Sequence, residues 1–342
     1  MSQFTRWAAC AALVILSGCD KSPVQVTCDR ACLGSMLDRY LEAVVAHDPT
    51  KAPLVVGFRQ TENALNIAPG NGVWKSVTAL GKVQRRYFDA ETGQAGYYGT
   101  VMEGSETAIV TVRLRVEDNA LTEAEWYIAR ANDPGLSGPR QPGAPPANLH
   151  NPEYLKQNPP PQREVPPEKR VDRATLARIV DSYYDAITSH DPSVALVHKG
   201  CGRAENGSPA PAGAFLPPAP PRATPSPPAP AAGQTPPPGA GSRDCVTGLE
   251  NFNLSMVVAR RTPLIDEAAQ MVLATGVFIR RPGSPTPRNV ASWWFVIDDA
   301  KIRTTYTAMF YPPSHLAVPN WPPYQGNWPL PETVVPAPAP PR

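Results

Sequence analysis

Tyr40, His47 and Glu62 fall within two dozen positions of one another, and their side chains are the types an acid/base pocket uses. A histidine titrates near neutral pH without help, and a glutamate in an apolar enclosure is raised toward the same range. A tyrosine beside them can donate or hold a proton. These three are the catalytic candidates. The same residues also have a structural use. His47 precedes Asp48-Pro49, a turn that ends a helix, and a histidine there can satisfy terminal carbonyls. Glu62-Asn63 could then lock the following strand to the helix end. The set occurs twice: Tyr183, His190-Asp191-Pro192, Gly200 and Glu205-Asn206 answer Tyr40, His47-Asp48-Pro49, Gly57 and Glu62-Asn63 without a gap. Repetition of the whole set, while most other polar residues differ, favours a shared clasp over two active sites.

A ligand site is sought instead among residues that only the first copy has: Trp74, Tyr87, Tyr98, Arg113 and Trp126. Tyr98 and Arg113 sit on strand-like segments whose alternation could aim them inward, where an arginine would hold a carboxylate or an enolate. Alternation with Val112, Leu114 and Val116 equally fits Arg113 and Arg115 on the wet face of a half-buried strand. The second copy is more apolar, as in Trp293-Trp294-Phe295, and reads as a packing partner. No G-x-S-x-G elbow, H-E-x-x-H, phosphate-binding glycine loop or dinucleotide fingerprint is present, so no cofactor is expected. Five histidines without a ligand-spaced pair give no metal site.

These residues must be held by regular elements. Leu33, Met36, Leu37, Tyr40, Leu41, Val44 and Val45 recur at three- and four-residue steps between Cys32 and Ala46, the stripe of an amphipathic helix that His-Asp-Pro ends. A short strand is expected near Val55 to Glu62, and a helical turn around Val77 to Arg85. Two strands, "GQAGYYGTVME" and "ETAIVTVRLRVED", follow with a turn at Gly104, and a last strand runs from Leu121 to Arg130. The second copy repeats the order with "AAQMVLATGVFIRR", "NVASWWFVIDD" and "KIRTTYTAMFYP".

This element order, with "YLEAVVAHDP" leading to "QTEN" and repeating as "YYDAITSHDP" and "RAEN", resembles the NTF2-like superfamily, its SnoaL-like branch and an uncharacterised exported group within it. The resemblance implies an α+β fold: two tandem cone domains, each with helices against a curved, mostly antiparallel sheet, joined by a Pro-rich linker. It also implies a pocket under each helix. Three functions stay open: a first cone that binds a small, largely apolar ligand beside a structural second cone; a metal-independent lyase, isomerase or hydrolase using His47, Glu62 and Tyr40; and an envelope component that acts through protein contacts.

Composition supplies the address and the boundaries. The 342 residues contain 44 prolines, more than two domains need. Residues 1–18 read as an export signal, and Leu16-Ser17-Gly18-Cys19 resembles the lipobox of bacterial lipoproteins, which implies lipid on Cys19. Each buried methylene of such an anchor contributes roughly 0.8 kcal/mol. The expected place is the periplasmic side of the cell envelope, with Asp20 favouring the inner membrane. A tether (19–27), a first domain (28–131), a linker (132–167), a second domain (168–311) with a disordered Pro/Ala-rich insertion (208–243), and a Pro-rich tail (312–342) complete the division. Trp321, Tyr324 and Trp328 in that tail suit packing against its own domain better than docking elsewhere. Cys28, Cys32, Cys201 and Cys245 remain for two disulfides, 28–32 and 201–245, or less readily for a four-thiolate zinc site. With 32 Lys plus Arg against 30 Asp plus Glu and no run of either sign, nucleic acid is not an expected partner. A homodimer, or the two cones paired as a pseudo-dimer, is.

Overall fold

The computed structural model describes residues 28–136, 138–139, 149–210 and 245–313. The expected signal, Cys19 and the tether therefore lie outside the described residues. So do most of the Pro/Ala-rich insertion and the tail with Trp321, Tyr324 and Trp328.

The first unit opens with α1 (Arg30–Val45), capped by Asp29, whose carboxylate accepts from the Cys32 N–H. The apolar stripe becomes its buried face, from Leu33 to Val44. Then come β1 (Leu54–Glu62), β2 (Leu65–Asn66), the short α2 (Val73–Ser76), β3 (Ala79–Asp89), β4 (Gln94–Glu103), β5 (Glu106–Glu117) and β6 (Ala120–Ala129). The strands order as β2-β1-β6-β5-β4-β3, antiparallel except where β1 runs parallel to β6. The second unit repeats this. Helix α4 (Arg173–Ser189) precedes β7 (Val197–Glu205), β8 (Ser208–Pro209), β9 (Leu254–Asp266), β10 (Met271–Arg280), β11 (Arg288–Asp298) and β12 (Lys301–Phe310), in the order β8-β7-β12-β11-β10-β9. The molecule is thus α+β, two six-stranded, mostly antiparallel sheets with few helices.

Two elements differ from expectation. The helical turn expected at Val77 to Arg85 is instead β3, paired with β4 from Ala79↔Met102 to Asp89↔Gln94, and the helical turn lies earlier as α2. Period two wins there: Val83, Arg85 and Tyr87 share the face away from α1, while Arg86 lies on the other and bonds Asp38 of α1. Strand β9, which carries Pro263, is not expected from its sequence pattern. As the outermost strand of its sheet, β9 tolerates a residue with no N–H to donate.

Each sheet is covered on both faces. On one side α1 and α4 lie over their own sheets, forming two separate cores. On the other, the sheets pack against each other around Tyr87, Tyr98, Ile109, Tyr127, Leu264, Leu273 and Trp294. A Cβ at Gly96 would sit 2.6 Å from the Trp294 ring, so glycine is needed for that approach. The contact is reciprocal. Arg30 at the start of α1 grips Asp266 at the end of β9 with bonds of 2.7 and 3.0 Å. Arg173 at the start of α4 grips Asp89 at the end of β3 with bonds of 2.9 and 2.7 Å. At the centre, Ser292 donates to the Thr111 hydroxyl at 2.8 Å.

The segment expected to be a plain linker also packs. After α3 (Pro152–Gln157), Arg85, Tyr87 and Tyr306 donate to the carbonyls of Pro160, Pro161 and Pro159. Gln162 exchanges two hydrogen bonds with the Arg86 backbone, at 3.0 and 2.9 Å. Val165 donates to Ala268 across on the other unit. Proline lacks an N–H but keeps its carbonyl, so a proline run can serve as an acceptor strap along the seam.

Candidate functional site

The residues singled out in the sequence separate into three places. His47 and Glu62 lie at the helix end. His47 has left-handed backbone, φ 57°, just past α1, and its Nδ1 is 2.6 Å from the Trp74 carbonyl oxygen. Glu62 accepts from the Val73 N–H at 3.0 Å through one oxygen and from Arg130 at 3.0 Å through the other. Its first oxygen would be 2.3 Å from a Cβ on Gly72, which closes the turn at φ +57°. The rest of the repeat is tied down in the same manner. Asp48 and Asp191 cap one-turn helices by accepting from Thr50 and Ser193. Asn63 exchanges two bonds with the backbone of Ile128, as Asn206 does with Met309. His190 reaches the Leu249 and Leu254 carbonyl oxygens at 3.1 Å.

Tyr40, Trp74 and Trp126 do meet, under α1, around a residue the sequence reading overlooked. The Tyr40 hydroxyl and the Trp74 indole both donate to Gln60 Oε1, at 3.0 and 2.8 Å, and the Trp126 indole donates to the Tyr40 oxygen at 2.8 Å. The Tyr40 and Trp74 rings are edge-on at 5.4 Å. Burial pushes the Tyr40 hydroxyl far above its ordinary pKa, so it stays protonated and acts as a donor. The first unit therefore engages these groups with one another through Gln60 Oε1, while Gln60 Nε2 has no hydrogen-bond partner among the described residues.

Tyr87, Tyr98 and Arg113 point away from α1, into the seam between the sheets. Tyr87 packs on Trp294 with centroids 4.8 Å apart, and Tyr98 donates to the Thr307 carbonyl at 3.2 Å. Arg113 is neither a pocket cation nor a wet-face residue, since it is only 3 % exposed. It binds Glu125 at 2.7 Å and Glu123 at 2.8 Å, and Glu125 also takes Arg261 of the second unit. Burial acts against the Glu125 charge, yet the two arginines outweigh it and hold its carboxyl below the usual range.

The interior of the second unit is different. Positions facing α4 include Arg203 and Glu205 on β7, Thr305 and Thr307 on β12, Trp293 on β11 and Arg280 on β10. All six are nearly or completely buried. In register, Glu205 pairs with Thr307 and Thr307 with Trp293, so they form one row across three strands; Arg203 and Thr305 belong to the next row. Arg203 Nε lies 3.3 Å from Glu205. Burial raises the Glu205 carboxyl above its usual range even though Arg203 and Arg280 both pull it down. Arg280 donates from Nη2 to Asn289 at 3.0 Å and stacks over Tyr311. Its Nε and Nη1 have no hydrogen-bond partner among the described residues, nor have the Trp293 indole N–H and the Thr305 and Thr307 hydroxyls. Tyr183, Tyr184, Phe278 and Phe295 pack around Trp293. The signal that could have revealed this set is the duplication itself: where the first copy has Gln60 and Trp126, the second has Arg203 and Thr307 at the same places in the sheet.

The four cysteines among the described residues are in disulfides, Cys28–Cys32 and Cys201–Cys245, each with Cα atoms 5.2 Å apart, which removes the four-thiolate zinc alternative. Cys28 lies before the helix start, so the pair is not confined to helical spacing. Disulfides fit an oxidising, non-cytoplasmic compartment. Among the described residues, no helix is long and apolar enough to cross a membrane.

A protein-family model described as a domain of unknown function (DUF8021) matches residues 169–309, which is the second unit from the start of α4 into β12. No curated protein matches the chain.

Proposed function

We propose that this chain is an exported binding protein, tethered to the envelope by lipid on Cys19, built from two NTF2-like cones paired as an intramolecular pseudo-dimer. The second cone binds a small molecule in its interior and the first serves as its structural partner. This reverses the division expected from the sequence, where the first cone held the ligand. The observation that carries it is the contrast between the two interiors. Tyr40, Trp74 and Trp126 hydrogen-bond one another through Gln60 Oε1, with the neutral Gln60 Nε2 left over, whereas on the matching face of the second sheet Arg280 Nε and Nη1 and the Trp293 indole N–H all lack partners among the described residues. A buried donor left unpaired costs about 1–3 kcal/mol, so several together favour a site that a ligand completes. The catalytic alternative has less support, because His47 Nδ1 and both Glu62 oxygens are engaged by backbone groups and Arg130.

The test uses thermal unfolding of the chain from residue 20 onward, purified from an oxidising compartment, with a panel of small aromatic and aliphatic acids, amides and alcohols. Some member should raise the unfolding midpoint of the wild type and fail to raise that of Thr307→Trp, which installs the side chain of Trp126 in the second cone. Thr307→Val, of equal volume, serves as the folding control. Binding that survives Thr307→Trp unchanged, or a panel silent on the wild type, overturns the reading.

A further inference from the structure

Every unpartnered atom in the second interior whose hydrogen-bond role is fixed, apart from the ion-paired Glu205, is a donor. They are Arg280 Nε and Nη1 and the Trp293 indole N–H, with the Tyr184, Thr305 and Thr307 hydroxyls able to act either way. The charges are unequal as well. Arg203 and Arg280 face one carboxylate, Glu205, which leaves one positive charge in a region where side chains are buried. A buried guanidinium without a full counter-charge is expensive, and a carboxylate is the partner its planar donor fork matches best. Around these groups the wall is aromatic: Trp293 stacks between Phe278 at 5.9 Å and Phe295 at 6.0 Å, and Tyr184 meets it edge-on.

We infer that the ligand of the second cone is a small carboxylic acid on an apolar body, its carboxylate taken by Arg280 and the Trp293 N–H and its body lying among the aromatic rings. The first cone lacks this charge: Gln60 stands in place of Arg203, its acceptor oxygen is already used by Tyr40 and Trp74, and its unpartnered Nε2 is a neutral amide donor. The inference rests on the proposed binding role of the second cone and goes further by fixing the charge of the ligand head.

The probes are two matched pairs, 3-phenylpropionate with 3-phenylpropionamide and octanoate with octanamide, titrated calorimetrically into the intact chain. At least one acid should bind about ten- to a hundredfold more tightly than its amide, the ratio expected when a hydrogen bond gains a charge. Arg280→Gln should bring acid and amide within about threefold, while Trp293→Phe should weaken the acid about fivefold or more by removing one neutral donor. Equal binding of acid and amide by the wild type overturns the carboxylate inference and leaves the binding cone standing. So does an unchanged acid affinity in Trp293→Phe, which also covers the case in which Arg280→Gln fails to fold. If neither member of either pair binds and buried waters satisfy Trp293, Thr305 and Thr307 in a crystal structure, the binding role itself falls with it.

Discussion

Asn63 and Asn206 show how one residue fastens each repeat. Both have left-handed backbone, φ 49° and 46°, which asparagine tolerates better than most residues. Each side chain bonds the N–H and carbonyl of a residue on the neighbouring strand, Ile128 or Met309. Asn63→Ala would leave both Ile128 groups unpaired in a buried place and strain the turn, for a loss of about 3 kcal/mol. Chemical denaturation should show that loss, whereas His47→Ala, which gives up one contact to the Trp74 carbonyl, should lose about 1 kcal/mol. A His47→Ala variant as damaged as Asn63→Ala would mean that the histidine does more than cap the helix end. The residue types of the clasp are legible in the sequence because they repeat. Their roles are not, because a histidine and a glutamate near a tyrosine look the same whether their polar atoms face a ligand or a backbone carbonyl.

At the scale of elements, the two disulfides close loops of very different size. Cys201 and Cys245 are 44 residues apart and join β7 to the turn before β9, while Cys28 and Cys32 are four apart at the entry of α1. In the loop-entropy account, the first stabilises by roughly 4 kcal/mol and the second by roughly 2 kcal/mol. Cys201→Ala with Cys245→Ala should therefore shift the urea midpoint about twice as far as Cys28→Ala with Cys32→Ala. Equal shifts would contradict the entropic origin. Helix α1 was readable from its stripe, and the four strands of each meander from their alternation, save β3 and β9. Those two belong to the sheet edges, where polar residues and Pro263 break the apolar pattern that marks a strand paired on both sides.

For the whole molecule, the seam between the sheets joins the units, and Glu125 lies within it between Arg113 and Arg261. Its carboxyl is held below the ordinary range, so the unfolded chain binds a proton there more readily than the folded one. Its contribution is thus fully present above the ordinary carboxylate pKa of about 4.3 and is lost as pH falls below it. Glu125→Gln should be less stable at pH 7 by about 3 kcal/mol, since it removes the carboxylate that Arg261 pairs with and one of the two that hold Arg113. It should also lose less further stability than the wild type between pH 5 and pH 3. Parallel pH profiles for the two proteins would refute that assignment. Arg30 with Asp266 and Arg173 with Asp89 are partly exposed and should contribute less.

The sequence by itself determined the duplication, the helix stripe, the α+β succession and the cysteines available for pairing, because each is a local or periodic property. Only the tertiary structure decided which way Arg113, Tyr98 and Tyr87 point, and that the second interior holds Arg203, Glu205 and Arg280 together. Alternation along a strand divides its residues between two faces but does not label them, and here both faces are buried, one by a helix and the other by the second sheet. Nothing in the spacing of Val112, Arg113 and Leu114 separates a pocket wall from a domain seam. That distinction arises when the two sheets meet.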